Sequence, residues 1–105
     1  MPIKIEFEND TLTAYLEGEL DHHAAEPIRD QIDAEIELHR PKKVIIDFAD
    51  LTFMDSSGIG LVMGRYKTAS AVGAALAVRN VSAQTHKVMR LSGIDRIAVI
   101  EKAHK

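Results

Sequence analysis

Two adjacent serines, Ser56 and Ser57, stand where a phosphate group could be added without disturbing a fold. They follow Asp55 and precede Gly58, between a strand-like apolar run and a pattern typical of a helix. The first N–H groups of a helix have no partner within the helix, and the helix dipole is positive at that end. Such a position favours a bound or attached phosphate. The sequence therefore indicates a serine that can be modified while the fold stays intact.

The same serines could instead be nucleophiles of a hydrolase. A hydrolase serine at a strand-to-helix turn usually stands in Gly-x-Ser-x-Gly, with a histidine base and an acidic residue elsewhere. Met54 and Asp55 occupy the positions two residues before the serines, so the first glycine is missing. A small serine hydrolase is therefore a distant alternative, and we expect no catalytic residue. The histidines that could supply a base are His22, His23, His39, His86 and His104.

Three glycines, Gly58, Gly60 and Gly64, follow the serines within the predicted helix. They do not form Gly-x-Gly-x-x-Gly, and no Lys-Ser or Lys-Thr completes a P-loop, so we predict no bound nucleotide and no cofactor. Glycine in a helix costs roughly 0.8–1 kcal/mol relative to alanine, so three glycines need a reason. Close packing on the sheet could explain one of them. A bare helix start that a partner's backbone can reach could explain the others.

The pair His22-His23, preceded by Asp21, resembles a metal site only superficially. Adjacent side chains point in different directions, and no i, i+4 spacing completes a ligand set, so we expect no metal. Asp21 is a suitable N-cap for the helix that follows. An exposed carboxylate there could also meet a basic partner.

The composition is that of one soluble domain, and we expect residues 1–105 to form it. The net charge of −3 argues against nucleic acid, which needs a basic stripe. The basic residues on the second and third predicted helices are more typical of solvated faces. Those residues are Arg65, Lys67, His86, Lys87 and Arg90.

Cysteine is absent, which excludes disulfides and thiolate chemistry and is compatible with a reducing cytosol. The first residues show no signal-peptide apolar core, and no uninterrupted apolar run could span a bilayer. We therefore expect a cytoplasmic protein without membrane contact.

The apolar patterns predict an α/β fold. Ile28, Ile32 and Ile36 have helical spacing, while Val44-Ile45-Ile46 is typical of a strand covered on both faces. Helices between the later strands make those strands parallel, whereas the first two should form an antiparallel hairpin. The result is a mixed β-sheet with helices packed against it. The predicted strands are 3–7, 11–17, 44–48, 74–81 and 97–100, and the predicted helices are 24–39, 57–71 and 82–93.

Two details of the helices are also predicted. Pro27 should lie in the first turn of its helix, because a proline deeper inside loses a hydrogen bond and clashes with the preceding turn. The inward stripe of the second helix should be Ile59, Val62, Met63, Tyr66 and Ala69 or Ser70.

Two stretches together resemble the STAS domains of bacterial anti-sigma factor antagonists. One runs from Gly18 to His23, and the other from Asp50 to Gly60 and on through Gly64 to Lys67. They occur in the family's order and at a similar separation, and the resemblance covers nearly the whole chain. It is strongest to the antagonists of the sporulation type. Pro27 departs from the family pattern and leaves the start of the first helix open.

The resemblance implies a single STAS domain and a binding protein rather than an enzyme. The unphosphorylated form is expected to bind an anti-sigma factor that is also a serine kinase carrying ATP or ADP, and so to release a sporulation sigma factor. The kinase is expected to phosphorylate Ser56, and a serine phosphatase to reverse this. An antagonist serving a stress-response sigma factor is the alternative. The expected partner-contacting residues are Asp21, Asp55, Ser56, Ser57, Gly58 and Gly60.

Overall fold

The structure, a computed structural model, describes residues 3–103. The candidate base His104 and the first two residues lie outside this range. Five strands and three α-helices alternate along the chain, with a short 3-10 turn before the last strand. The elements are β1 (Ile3–Glu8), β2 (Thr11–Leu20), α1 (His22–His39), β3 (Lys43–Met54), α2 (Ser56–Ala71), β4 (Ala75–Val81), α3 (Ala83–Leu91), the 3-10 turn Ile94–Arg96 and β5 (Val99–Lys102).

The strands form one mixed sheet in the order β1-β2-β3-β4-β5. β1 and β2 are antiparallel, and all the other neighbours are parallel. The hairpin turns through Asn9 and Asp10, which both have positive φ as a two-residue hairpin turn requires. The predicted mixed sheet with an opening hairpin is confirmed.

The core is a single apolar cluster between the sheet and its helices. Ile28, Ile32 and Ile36 of α1 are buried in it, as their spacing predicts. The expectation that Val44-Ile45-Ile46 is covered on both faces is wrong, since Ile45 is only half-buried while its two neighbours are fully buried. Alternate residues of a strand point to opposite faces, so one face of the sheet is more open than the other.

Helix α1 begins two residues earlier than predicted. Strand β2 continues to Leu20, and Asp21 then caps the helix directly, so that Pro27 is the sixth helical residue rather than part of the first turn. The proline deprives the His23 carbonyl of its usual donor. His23 and Pro27 are both exposed, so water can replace that hydrogen bond, which explains why the helix continues through the proline.

Three strands have a boundary that differs from the prediction by two residues or more. Gly18, with φ of 82°, lies within β2 at a shift of register, so it bends the strand instead of ending it. Strand β3 runs on to Met54, because β2 continues to pair with it there. Strand β5 starts at Val99, since the turn Ile94–Arg96 takes up the residues after α3.

The predicted inward stripe of α2 is partly wrong. Val62 and Ala69 are buried, but Met63 and Tyr66 are 39% and 38% exposed, and Leu61 and Arg65 are buried instead. The helix is rotated relative to the prediction, because α1 covers its other side. No helix in the described range is long and apolar enough to cross a membrane.

Candidate functional site

The two sequence motifs meet at the carboxyl end of the sheet. Leu20 and Met54 are register partners at the ends of the parallel strands β2 and β3. The residue that follows each of them is an aspartate, and the N–H of Asp55 donates to the Leu20 carbonyl over 3.2 Å. Asp21 and Asp55 therefore lie next to each other in the fold, although they are far apart in the sequence.

Each aspartate caps the helix that follows it. Asp21 Oδ1 accepts from the Ala24 N–H at 2.9 Å, and Asp55 Oδ1 accepts from the Ser57 N–H at 2.8 Å. Both caps satisfy a donor that the helix itself leaves free. The predicted capping role of Asp21 is thus confirmed. Both carboxylates are half-buried, so each keeps a surface that a partner can touch.

The serines begin α2 but line different surfaces. Ser56 is the first helical residue and is exposed, whereas Ser57 is half-buried. Ser56 lies at the rim of a groove of about 690 Å³ between the end of β3 and α3, here called the β3–α3 groove. Ser57 lines a groove of about 470 Å³ between α1 and α2, here called the α1–α2 groove. One serine can therefore be modified or contacted without the other.

The β3–α3 groove exists because β3 is longer than its neighbour. Pairing of β3 with β4 ends at Asp47 and Arg79, while pairing with β2 continues to Met54. The last residues of β3 thus pair on one side only, and their other side faces the groove. Phe53 at this end is 52% exposed and Val88 across the groove is 40% exposed. An apolar surface of this kind beside Ser56 is suited to contact with another protein.

The glycines of α2 serve different purposes. A Cβ on Gly58 would clash with the Met54 side chain and lie 3.1 Å from Leu20 Cδ2, so this glycine allows close packing on the strands. A Cβ on Gly60 or Gly64 would meet nothing within 4 Å. Packing therefore explains one glycine, and the other two leave the helix surface bare.

Gly60→Ala is expected to raise the free energy of unfolding by about 0.5–1 kcal/mol, because alanine restricts the unfolded chain and fits the helix. Gly58→Ala is the matched change on the same helix, and it should not stabilise, since its methyl group meets Met54. Urea unfolding followed by circular dichroism measures both. Equal stabilisation by the two changes would contradict this account of the glycines.

The prediction that Arg65 lies on a solvated face is wrong. Its side chain is 5% exposed and lies between α1 and α2, where Nε is 2.8 Å from Asp33 Oδ1. Burial lowers the pKa of Arg65, and the negative charge of Asp33 opposes that shift. This pairing could not be predicted from the sequence pattern, because Asp33 lies on the preceding helix.

Asp47 is a second buried charge that the sequence analysis did not single out. Its carboxylate accepts hydrogen bonds from the Ala49 N–H at 2.8 Å, from Arg79 Nε at 2.9 Å and from Asn80 Nδ2 at 3.0 Å. Asn80 also lines the β3–α3 groove, so this network holds one of the residues that surround the groove. The signal for it in the sequence is that Asp47 is a charged residue within the otherwise apolar run Val44–Phe48.

His22 and His23 lie on the rim of the α1–α2 groove. Their ring centroids are 5.9 Å apart, and no group of three possible metal ligands occurs among residues 3–103. The side-chain hydrogen bonds of this range include none between a histidine and Ser56 or Ser57. The site thus places an exposed serine, Ser56, at the edge of the sheet where Asp21 and Asp55 are neighbours.

The sequence matches the model of the STAS domain family over residues 2–105. Among curated proteins, it is 35% identical to the anti-sigma F factor antagonist of Paenibacillus polymyxa over 95% of this chain and 86% of that protein. It is 42% identical to the anti-sigma F factor antagonist of Lysinibacillus sphaericus over 81% of this chain and 73% of that one.

Solved structures of anti-sigma factor antagonists also superpose on this chain. The unphosphorylated anti-sigma factor antagonist SpoIIAA superposes with a TM-score of 0.80 at 37% identity, over 93% of this chain and 86% of that one. The Bacillus cell fate determinant SpoIIAA in its phosphorylated form superposes with a TM-score of 0.75 at 37% identity, over 93% of this chain and 89% of that one. An anti-sigma factor antagonist domain protein from Planctomyces limnophilus superposes with a TM-score of 0.81 at 22% identity, over 96% of this chain and 89% of that one. This similarity shows the shared fold alone.

Proposed function

The chain belongs to the STAS domain family, and we propose that it is an anti-sigma factor antagonist of the sporulation type. In its unphosphorylated form it binds an anti-sigma factor that is also a serine kinase and carries ATP or ADP, and a sporulation sigma factor is released. Phosphorylation of Ser56 ends this binding, and a serine phosphatase restores it. These events take place in the cytoplasm.

One observation carries the proposal: Ser56 is an exposed first residue of α2, placed where the ends of β2 and β3 bring Asp21 and Asp55 together. The two anti-sigma F factor antagonists named above support the type of partner, since their identity to this chain extends over most of its length. A kinase that docks at this edge meets the serine and both carboxylates at once.

The contact surface follows from the same geometry. Asp21 and Asp55 offer negative charge to a basic partner. Ser57 and Gly58 flank the acceptor on the first turn of α2, and Gly60 leaves the next turn free of a side chain. The partner's backbone can therefore approach α2 closely on this side.

Phosphorylation acts as a switch through local charge. A phosphate adds about −1.5 to −2 charges at pH 7, beside the carboxylate of Asp55. Docking removes water from this surface, and an anion that loses its water without a new cationic partner costs several kcal/mol. The bound state is therefore weakened far more than the free state.

The free protein tolerates the phosphate because it sits at the positive end of α2. No rearrangement of the fold is then needed for switching. Both the unphosphorylated and the phosphorylated SpoIIAA superpose on this chain, with TM-scores of 0.80 and 0.75, which supports a common fold for the two states.

The hydrolase alternative has lost its support. Members of this family are regulatory binding proteins, so the chain is a binding protein rather than an enzyme. The serine acts as a substrate of another enzyme, and the glycine that a hydrolase turn needs is replaced by Met54.

Incubation with ATP and a sporulation-type anti-sigma kinase is expected to add one phosphate to the chain, at Ser56. Intact-mass and fragment spectra locate it. Ser57→Ala is the matched control and should still accept one phosphate, whereas Ser56→Ala should accept none. If a kinase that is active on another antagonist leaves this chain unmodified, or modifies Ser57 instead, the proposed switch is wrong.

A further inference from the structure

Strand β1 forms one edge of the sheet and has a strand on one side only. Within residues 3–103 it pairs with β2 alone, in a regular antiparallel register without a bulge. Proteins commonly protect such an edge with a bulge, a proline or charged side chains, since a regular edge can pair with a strand of another molecule. Over Ile3–Glu8 only charged side chains are present. Whether this edge can pair therefore depends on where its charges lie.

The hairpin determines which backbone groups of β1 point outward. The residues that flank a two-residue hairpin turn exchange both backbone hydrogen bonds, and here these residues are Glu8 and Thr11. Hydrogen-bonded and non-hydrogen-bonded positions alternate along an antiparallel strand. The N–H and C=O groups of Lys4 and Glu6, like those of Glu8, therefore face β2. The backbone groups that point away from the sheet belong to the alternate residues Ile3, Ile5 and Phe7.

One register between two copies of β1 uses all three outward residues. Antiparallel copies can exchange hydrogen bonds only through outward-facing residues, so Ile5 can lie opposite Ile3, Ile5 or Phe7 of a second copy. With Ile5 opposite its own counterpart, Ile3 and Phe7 lie opposite each other, and three residue pairs each exchange two hydrogen bonds. Within Ile3–Glu8 the other two registers form only two such pairs.

The charges of β1 favour the same register. With Ile5 opposite Ile5, Lys4 of each copy lies opposite Glu6 of the other, at a non-hydrogen-bonded position where side chains are closest. Of the shorter registers, one places Lys4 opposite Lys4 and the other places Glu6 opposite Glu6. Within one chain Lys4 Nζ is 3.5 Å from Glu6 Oε2, but both side chains are largely exposed, so each can turn to a second copy at little cost.

The apolar side of β1 gains cover in this arrangement. Ile3, Ile5 and Phe7 lie on the side of the sheet that carries the helices, where the first two are half-buried and Phe7 is 38% exposed. Pairing brings Ile5 next to Ile5 and Ile3 next to Phe7 of the other copy. The opposite edge of the sheet offers no equivalent, because β5 has only four residues and its register with β4 is irregular.

We propose that β1 is a contact surface for a second copy of this chain. Two protomers pair through their β1 strands around a two-fold axis at Ile5, and their sheets join into one of ten strands, five from each copy. One short strand of each protomer makes the contact, so the dissociation constant is about 0.1–1 mM. Ser56 and the β3–α3 groove lie beyond β2 from this edge and stay accessible in the dimer.

Sedimentation equilibrium measures the association. Between about 0.02 and 2 mM protein, the average mass should rise from 11.6 kDa towards twice that value. Nuclear magnetic resonance over the same range identifies the surface. The amide signals of the outward residues Ile3, Ile5 and Phe7 should shift more with concentration than those of Lys4 and Glu6, which face β2.

Charge reversal tests the register. Lys4→Glu and Glu6→Lys each bring like charges together across the contact, and each variant alone should associate about tenfold more weakly. A mixture of the two should associate within about threefold of the original chain, because position 4 of each copy then faces the opposite charge at position 6 of the other. Lys102→Glu changes the net charge as Lys4→Glu does, at an exposed position on β5, and should leave the association unchanged.

A mass that stays at that of one chain up to about 2 mM would overturn the proposal. So would association that neither reversal weakens, or weakening that the mixture does not restore, since both results would assign the contact to another surface or register. Thermal unfolding confirms that each variant is folded. The experiment uses no kinase and leaves Ser56 unmodified, so its failure does not affect the proposed phosphorylation switch.

Discussion

Ser56→Asp is expected to lower the affinity for the proposed anti-sigma kinase by about a hundredfold, which corresponds to about 2.7 kcal/mol. The new carboxylate stands at the exposed start of α2, next to the half-buried carboxylate of Asp55. Docking must remove its water, and the repulsion between the two adjacent carboxylates is then screened less, which opposes binding. The single charge of aspartate is smaller than that of a phosphate, so phosphorylation itself should have a larger effect. Isothermal titration calorimetry with the purified kinase measures the change.

Three matched variants separate charge from other causes. Ser56→Asn has nearly the size of the aspartate without its charge, and it should keep affinity within about tenfold of the original. Ser56→Ala should bind as tightly as the unmodified chain. Ser70→Asp places the same charge on an exposed position near the other end of α2 and should not weaken binding. If Ser56→Asp bound as tightly as Ser56→Asn, local charge could not be the switch.

The unfolding temperature provides a second check on the same variant. An acidic residue in the first turn of a helix interacts favourably with the dipole, typically by about 0.3–1 kcal/mol. Ser56→Asp should therefore be as stable as the original chain or slightly more stable. Loss of binding with unchanged stability is what the proposed switch requires, whereas loss of both would indicate a disturbed fold.

The local parts of the site could be predicted from the sequence because short-range chemistry determines them. An aspartate before a helix is a cap wherever the helix is packed, and two serines after Asp55 occupy its first turn. The order of strands and helices likewise settles which strands are parallel. For these reasons the position of Ser56 at the carboxyl end of the sheet could be predicted from the sequence.

The rest of the site depends on partners that are distant in the sequence. Strand β3 was expected to end at residue 48, because the residues that follow are not uniformly apolar; they remain a strand since β2 pairs with them on one side. The β3–α3 groove exists only because of that extension. Arg65 has the charge typical of a surface residue, but in the fold it is buried against α1 and paired with Asp33. Neither feature leaves a periodic signal in the sequence.

Asp47→Ala is expected to lower the free energy of unfolding by about 3 kcal/mol. The carboxylate is almost fully buried and accepts three hydrogen bonds, from the Ala49 N–H, Arg79 and Asn80. Its removal leaves these donors without their acceptor, and the half-buried Asn80 amide loses its recorded side-chain partner. Arg79 is 34% exposed and can turn partly to solvent, which keeps the loss at the lower end of the range for broken buried pairs.

Asp50→Ala is the control for this effect, since Asp50 is an exposed aspartate on the same strand and should change stability by less than about 0.5 kcal/mol. Guanidinium chloride unfolding compares the two variants with the original chain.

Asp47 also accepts a hydrogen bond from Asn80, which has a positive φ of 62° and lines the β3–α3 groove, as Ser56 does. Asp47→Ala should therefore weaken kinase binding as well as stability, even at temperatures where the variant is fully folded. Stability within 1 kcal/mol of the original would show that the network is not a main support of the sheet. Unaltered kinase affinity would show that Asn80, held by this network, takes no part in docking.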